Sequence, residues 1–67
     1  MQIKINGKMK NLEYSEISLK KLLYLLDMGD KGIAVELNGE IIRKDSFEST
    51  ILKEGDVLEI VHIVGGG

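Results

Sequence analysis

The sequence predicts an α+β fold, a mixed sheet of about five strands with one main helix across one face. Three observations carry that expectation. Apolar and polar residues alternate at both ends of the chain and in its middle. One leucine stripe, Leu19, Leu22, Leu23 and Leu26, has helical spacing instead. Two Asn-Gly pairs, Asn6-Gly7 and Asn38-Gly39, stand between candidate strands, where that dipeptide favours a type I′ hairpin turn.

In order, Met1, Ile3 and Ile5 alternate with Gln2 and Lys4 as a half-buried first strand. After Asn6-Gly7 a second strand is expected to run to about Tyr14, with Leu12 and Tyr14 on one face. Met9 is out of step with them and marks either a bulge or an exposed methionine. Lys8 and Lys10 suit an edge strand, because charge there discourages pairing with other chains. Ser18 is placed as the helix N-cap, its oxygen accepting from a free backbone N–H of the first turn. Ile17 and Leu22 hold the two positions of a hydrophobic staple. Gly29 is expected to end the helix with a left-handed residue. The leucine stripe is read as core.

Ile33, Val35 and Leu37 alternate again, and Asn38-Gly39 turns them into a strand at Glu40–Arg43. Asp45-Ser46-Phe47-Glu48 is expected to form one helical turn, with Phe47 plugging the sheet. Lys53-Glu54-Gly55-Asp56 reads as a turn, and Val57 to Val64 as the last strand. That strand is apolar at both parities: Leu58 and Ile60 face inward, Val61 and Ile63 the other way. One helix covers only one sheet face, so an exposed apolar patch is expected around Val61. With the first and last strands as parallel neighbours joined through the helix, the order of elements is the β-grasp arrangement.

Composition narrows the function. Sixty-seven residues make one small domain, and at that size folding removes only about 60% of the unfolded chain's surface from water. There is no cysteine to supply a disulfide or thiolate metal site, so the 43% apolar content must build the core unaided. A net charge of −2 argues against nucleic-acid binding, which needs clustered Lys and Arg. Residues 1–21 hold a balance of +3 and residues 22–67 one of −5, so the acidic part flanks the chain's end. This is either a solvated mixed surface or a field that steers the end towards a basic partner. No segment approaches the ~20 apolar residues of a membrane span, and the start is no signal peptide, so a cytoplasmic location is expected. Ser15, Ser18, Ser46, Ser49 and Thr50 have only His62 to activate them, and no carboxylate motif marks a catalytic pair. No enzymatic role is expected. His62 has no cysteine or second histidine to complete a metal site and is read mainly as a surface residue.

The end of the chain, Val64-Gly65-Gly66-Gly67, is the candidate working part. The division expected is a β-grasp domain over 1–64 and a flexible glycine tail over 65–67. At about 3.3–3.6 Å per residue, Val64 to Gly67 reaches roughly 13 Å. Without Cβ atoms, Gly65, Gly66 and Gly67 fit a channel too narrow for side chains. A frayed end or spacer has the same composition. Ordering such a tail costs about 1–2 kcal/mol per residue, so docking affinity must come from the folded surface, with Val61, His62, Ile63 and Val64 as candidates.

Residues 33–42, IAVELNGEII, and 52–67, LKEGDVLEIVHIVGGG, resemble ThiS, the sulfur-carrier family of thiamine biosynthesis, whose fold is ubiquitin-like. The likeness extends over essentially the whole chain. The small subunit of molybdopterin synthase also ends in Gly-Gly, but usually with prolines just before, and this chain has none. The resemblance implies that a ubiquitin-activating-like adenylyltransferase uses ATP to adenylate Gly67. Sulfur from a cysteine desulfurase system then makes a thiocarboxylate, and thiazole synthase consumes it. No permanently bound cofactor is implied. Other ubiquitin-like carriers, protein modifiers and a passive β-grasp interaction module with an inert tail are the alternatives.

Overall fold

The computed structural model describes residues 1–29 and 32–63. Strands β1 (Gln2–Ile5) and β2 (Lys8–Asn11) form a hairpin, followed by a short β3 (Ile17–Ser18) and helix α1 (Leu19–Leu25). A second hairpin, β4 (Ile33–Leu37) and β5 (Glu40–Ile42), precedes a 3₁₀ turn (Lys44–Ser46), β6 (Ile51–Leu52) and β7 (Val57–His62). The main sheet has five strands in the order β2-β1-β7-β4-β5. β1 and β7 are parallel and their other pairings are antiparallel, so the expected mixed sheet with one helix is what forms.

The periodicities explain the core. Ile3 and Ile5 from β1, Ile33 and Val35 from β4, and Leu58 and Ile60 from β7 point to one side and are buried there. Leu19, Leu22 and Leu23 of α1 meet them, with Leu26 half-buried at the margin. Each such side chain contributes about 1.5–3 kcal/mol when removed from water. Phe47 is buried at 2% exposure and joins this cluster, as a plug should. The Ser18 hydroxyl accepts from the Lys21 N–H at 3.1 Å, fixing the helix start.

Both hairpins turn as expected. Asn6 and Gly7 have φ of 51° and 83°, and Asn38 and Gly39 of 50° and 88°, the paired positive values a type I′ turn requires. β2 is an edge strand without a bulge, and Met9 faces Lys4 across the hairpin on the side away from the helix. It is the exposed methionine of the two alternatives.

Five expectations need correction. β5 ends at Ile42, not Arg43, which precedes the 3₁₀ turn as its N-cap. β2 stops at Asn11, not near Tyr14, because β1 begins at Gln2, the partner of Asn11; beyond it the Leu12 N–H donates to the Met1 carbonyl at 2.7 Å, and the Met1 amino group donates to the Leu12 and Tyr14 carbonyls. The helix ends before Gly29. Asp27 takes the left-handed position (φ 60°), its N–H bonding Tyr24 O at 3.0 Å while the Met28 N–H bonds Leu23 O at 2.9 Å. This is the Schellman pattern, with Met28 folding back on the core. The helical turn near Phe47 is 3₁₀ and begins at Lys44. The last strand ends at His62; Ile63 adds one bond, its N–H to Gly32 O at 2.7 Å, and Val64 lies outside the described residues. The two-stranded β3–β6 ribbon is an element the sequence pattern did not announce.

Candidate functional site

The candidate site expected from the sequence has two parts, the chain's end and the surface around the strand that precedes it. Val64, Gly65, Gly66 and Gly67 lie outside the described residues, so the geometry begins at their root. That root is β7, flanked by β1 on one side and β4 on the other. That strand lies at the centre of the sheet.

β7 carries two kinds of surface. Leu58 and Ile60 are buried under α1, while Val57, Glu59 and Val61 face the side that no element covers. Register fills in the rest of that open side. Val61 stands opposite Ala34, Glu59 opposite Glu36, and Glu36 in turn opposite Ile41 of β5. Val61 is 57% exposed and Ile41 78%, and Met9 of β2 is exposed on the same side of the sheet. Together with Ala34, Glu36 and Glu59, Val61 and Ile41 line a shallow depression. The apolar patch expected around Val61 is thus present, and it extends across three strands.

Glu36 and Glu59 face each other directly, an arrangement that costs stability between like charges on paired strands. Both are solvent-exposed, so water screens the repulsion. Their shared effect is a negative potential beside the apolar patch. Residues of that sign and position complement a basic partner.

Of the expected surface residues, Val61 lies on this open face. His62 takes the opposite parity, in register with Ile33, and is exposed at the last position of the strand. Ile63 is exposed just beyond the strand, and Val64 is not among the described residues. Ala34, Glu36, Ile41 and Glu59 were not singled out from the sequence. Ile41 had a signal, since Ile41-Ile42 is apolar at both parities in a strand that one helix cannot cover twice. Placing Glu36 against Glu59 required the register. Among the described residues no group of three or more His, Asp or Glu side chains is placed to hold a metal ion. No helix of those residues is long and apolar enough to cross a membrane.

A five-stranded mixed sheet wrapped on one helix, with a glycine end issuing from its central strand, defines the ubiquitin-like β-grasp class. Comparison with known proteins narrows the class. The sequence model of the ThiS family matches residues 3–67. The sulfur carrier protein ThiS of Bacillus subtilis (strain 168) is 37% identical over 65 residues, covering 97% of this chain and 98% of that protein. A thiazole synthase of Paramagnetospirillum magneticum is 39% identical over 67 residues, all of this chain but only 20% of that protein. Among solved structures, the crystal structure of the thiamine biosynthesis protein ThiS from Geobacter metallireducens superposes with a TM-score of 0.88 at 32% identity, covering 100% of both chains. The chain belongs to the ThiS family.

Proposed function

We propose that this protein is a sulfur carrier of thiamine biosynthesis that works through the carboxylate of Gly67. The supporting observation is the family match running from residue 3 through 67, glycine end included. It is joined by a relative named as a sulfur carrier over nearly its full length.

The chemistry follows from the carboxylate. An α-carboxyl group has a pKa of roughly 3.5, so it is ionised at neutral pH and resists attack by nucleophiles. A carboxylate oxygen of Gly67 attacks the α-phosphate of ATP in the active site of a ubiquitin-activating-like adenylyltransferase, and pyrophosphate leaves. The resulting acyl-adenylate is uncharged at its carbonyl carbon and carries a good leaving group. A cysteine desulfurase supplies the sulfur as a persulfide, a thiol reductant releases it as sulfide while itself becoming a disulfide, and that sulfide adds to the carbon. AMP departs with the former carboxylate oxygen and a thiocarboxylate remains. Thiazole synthase then takes the sulfur. Its pairing with this fold is supported by the similarity of this whole chain to about a fifth of a thiazole synthase.

In this reading the chain contributes no catalytic group and holds no cofactor of its own. Gly65 and Gly66 thread the partner's channel, and the open face with Val61 and Ile41 gives the affinity that a flexible tail cannot. The location proposed is the cytoplasm, where ATP and the desulfurase are available.

Deletion of Gly66 and Gly67 is the experiment that tests the proposal. Incubated with ATP, the adenylyltransferase and a sulfur source, the intact chain should gain the mass of one oxygen-for-sulfur exchange at Gly67. The truncated chain should gain nothing while unfolding at the same denaturant concentration. Retained activity without the two glycines would instead favour a passive interaction module. Isopeptide adducts on lysines would favour a protein modifier.

A further inference from the structure

We infer that Asn6 is a positioning residue for the tail, a side chain that substitutes for the missing strand beside the last part of β7. The inference rests on the carrier reading above. Its evidence is a pair of side-chain hydrogen bonds that reach from the hairpin turn to the backbone of Ile60.

β1 and β7 are joined as parallel strands, through Lys4 N–H to Asp56 O at 3.0 Å and Asn6 N–H to Leu58 O at 2.9 Å. In an evenly spaced parallel ladder the next two bonds would run from Ile60 N–H to the carbonyl of residue 6, and from the N–H of residue 8 to the Ile60 carbonyl. Neither backbone group is available, because the chain reverses at Asn6-Gly7 and residue 8 pairs back onto Ile5. The Asn6 side chain makes both bonds. Its Oδ1 accepts from Ile60 N–H at 2.7 Å, and its Nδ2 donates to Ile60 O at 3.0 Å. A primary amide has the donor and acceptor of a peptide unit, so one residue extends the ladder by one peptide's worth.

The place where this happens gives it a functional consequence. On the β4 side, β7 stays paired to His62, with one further bond from the Ile63 N–H to Gly32 O. On the β1 side, among the described residues, Asn6 makes the bonds nearest the tail. Ile60 precedes the first residue of the glycine tail by only five positions. With Asn6 in place the strand is held from both sides to Ile60; without it, one side is released back to Leu58. The angle and register at which the tail leaves the domain then loosen, and its entry into a narrow channel becomes less productive.

The second hairpin provides an internal control. Asn38 occupies the same position of the same turn type, and it also bonds β7: Oδ1 accepts from Val57 N–H at 2.9 Å and Nδ2 donates to Asp56 Oδ1 at 3.0 Å. That clamp sits at the opposite end of the strand from the tail. Glycine accepts the positive φ of both turn positions, so Asn6→Gly and Asn38→Gly each keep the turn and delete only the clamp.

The test compares these two full-length variants with the wild type. Amide hydrogen exchange followed by NMR should show the Ile60 N–H exchanging on the order of tenfold faster in Asn6→Gly, the size expected for one lost hydrogen bond. In Asn38→Gly it should change only as far as overall stability does. With ATP and the adenylyltransferase, pyrophosphate release should show kcat/KM falling on the order of tenfold in Asn6→Gly and staying near wild type in Asn38→Gly. Asn6→Asp, which keeps the acceptor but loses the donor at neutral pH, should fall between. Equal losses in the two glycine variants, or wild-type exchange at Ile60 in Asn6→Gly, would overturn the inference. A wild type inert towards ATP and the enzyme would overturn the carrier reading, and the exchange comparison would still decide whether Asn6 holds the strand.

Discussion

The two faces of the sheet are made from the same strands and serve opposite ends. On the helix side, Ile3, Leu58 and Val35 are essentially inaccessible, and every buried position of β1, β4 and β7 is filled by an isoleucine, valine or leucine side chain. On the other side, Val57, Glu59 and Val61 of the same β7 stand in solvent next to Ala34, Glu36 and Ile41. The first face is complete in itself. The second combines exposed apolar surface with an adverse pairing of Glu36 and Glu59, neither of which folding requires. This small domain concentrates its buried core on one side of β7, and in the proposed function the other side is the one that meets partners. Substitutions at neighbouring positions of one strand should therefore separate stability from function.

The largest effect is expected at Leu58, which is fully buried in the central strand. Leu58→Ala should cost about 2–5 kcal/mol, the range for truncating a core leucine. Total stability for a domain this small is of the same order, so urea titration should find the variant largely unfolded or with its midpoint moved close to zero. A loss below about 1 kcal/mol, small for a core truncation, would show that the helix-covered face is loosely packed and would break the comparison.

An intermediate effect belongs to the edge of that face, where Ser18 caps the helix that covers it. Ser18→Ala should cost about 1 kcal/mol, which for a domain of this size lowers Tm by roughly 4–8 °C. Calorimetry checks this directly. Ser18→Asp should recover most of the loss, because its carboxylate also accepts from the first-turn N–H groups.

The covered face was the more legible one in the sequence, and the reason is physical. Burial on one side imposes period two on strands and period 3.6 on a helix, so Ile3/Ile5, Leu58/Ile60 and the leucine stripe revealed their roles locally. The Asn-Gly turns were equally local, since positive φ at two successive residues leaves little other choice. What escaped was decided at a distance. The β3–β6 ribbon pairs Ile17 with Leu52 and Ser18 with Ile51, two-residue strands too short to show any period. The helix stops at Leu25, and Asp27 rather than Gly29 takes the left-handed position after it, which lets Met28 pack on the core. Asn6 and Asn38 were recognisable as turn residues, but their bonds to β7 depend on strand order. On the open face Val61 could be anticipated, since a single helix cannot cover both sides of an apolar strand. Its neighbours Ala34, Glu36 and Ile41 become one surface only through the register of β4, β5 and β7.

The smallest effect on stability, and the sharpest test of the contrast, lies on that surface. Val61→Thr and Ile41→Thr replace exposed apolar groups by a polar one of similar shape that keeps β-branching. Solvent already surrounds both positions, so the double variant should unfold within about 0.5 kcal/mol of wild type, the usual range for surface changes. In the proposed carrier role, complex formation with the adenylyltransferase would cover the same groups and should respond differently. Each buried methyl or methylene contributes about 0.8 kcal/mol, and two or more are lost across the pair. Affinity should therefore fall on the order of tenfold or more, read by calorimetric titration at constant salt. Raising the salt should weaken the wild-type complex as well, because the carboxylates of Glu36 and Glu59 act over a distance that counter-ions screen. If the double variant bound like wild type but unfolded early, the open face would be part of the folding core, and the division of labour across β7 would be wrong.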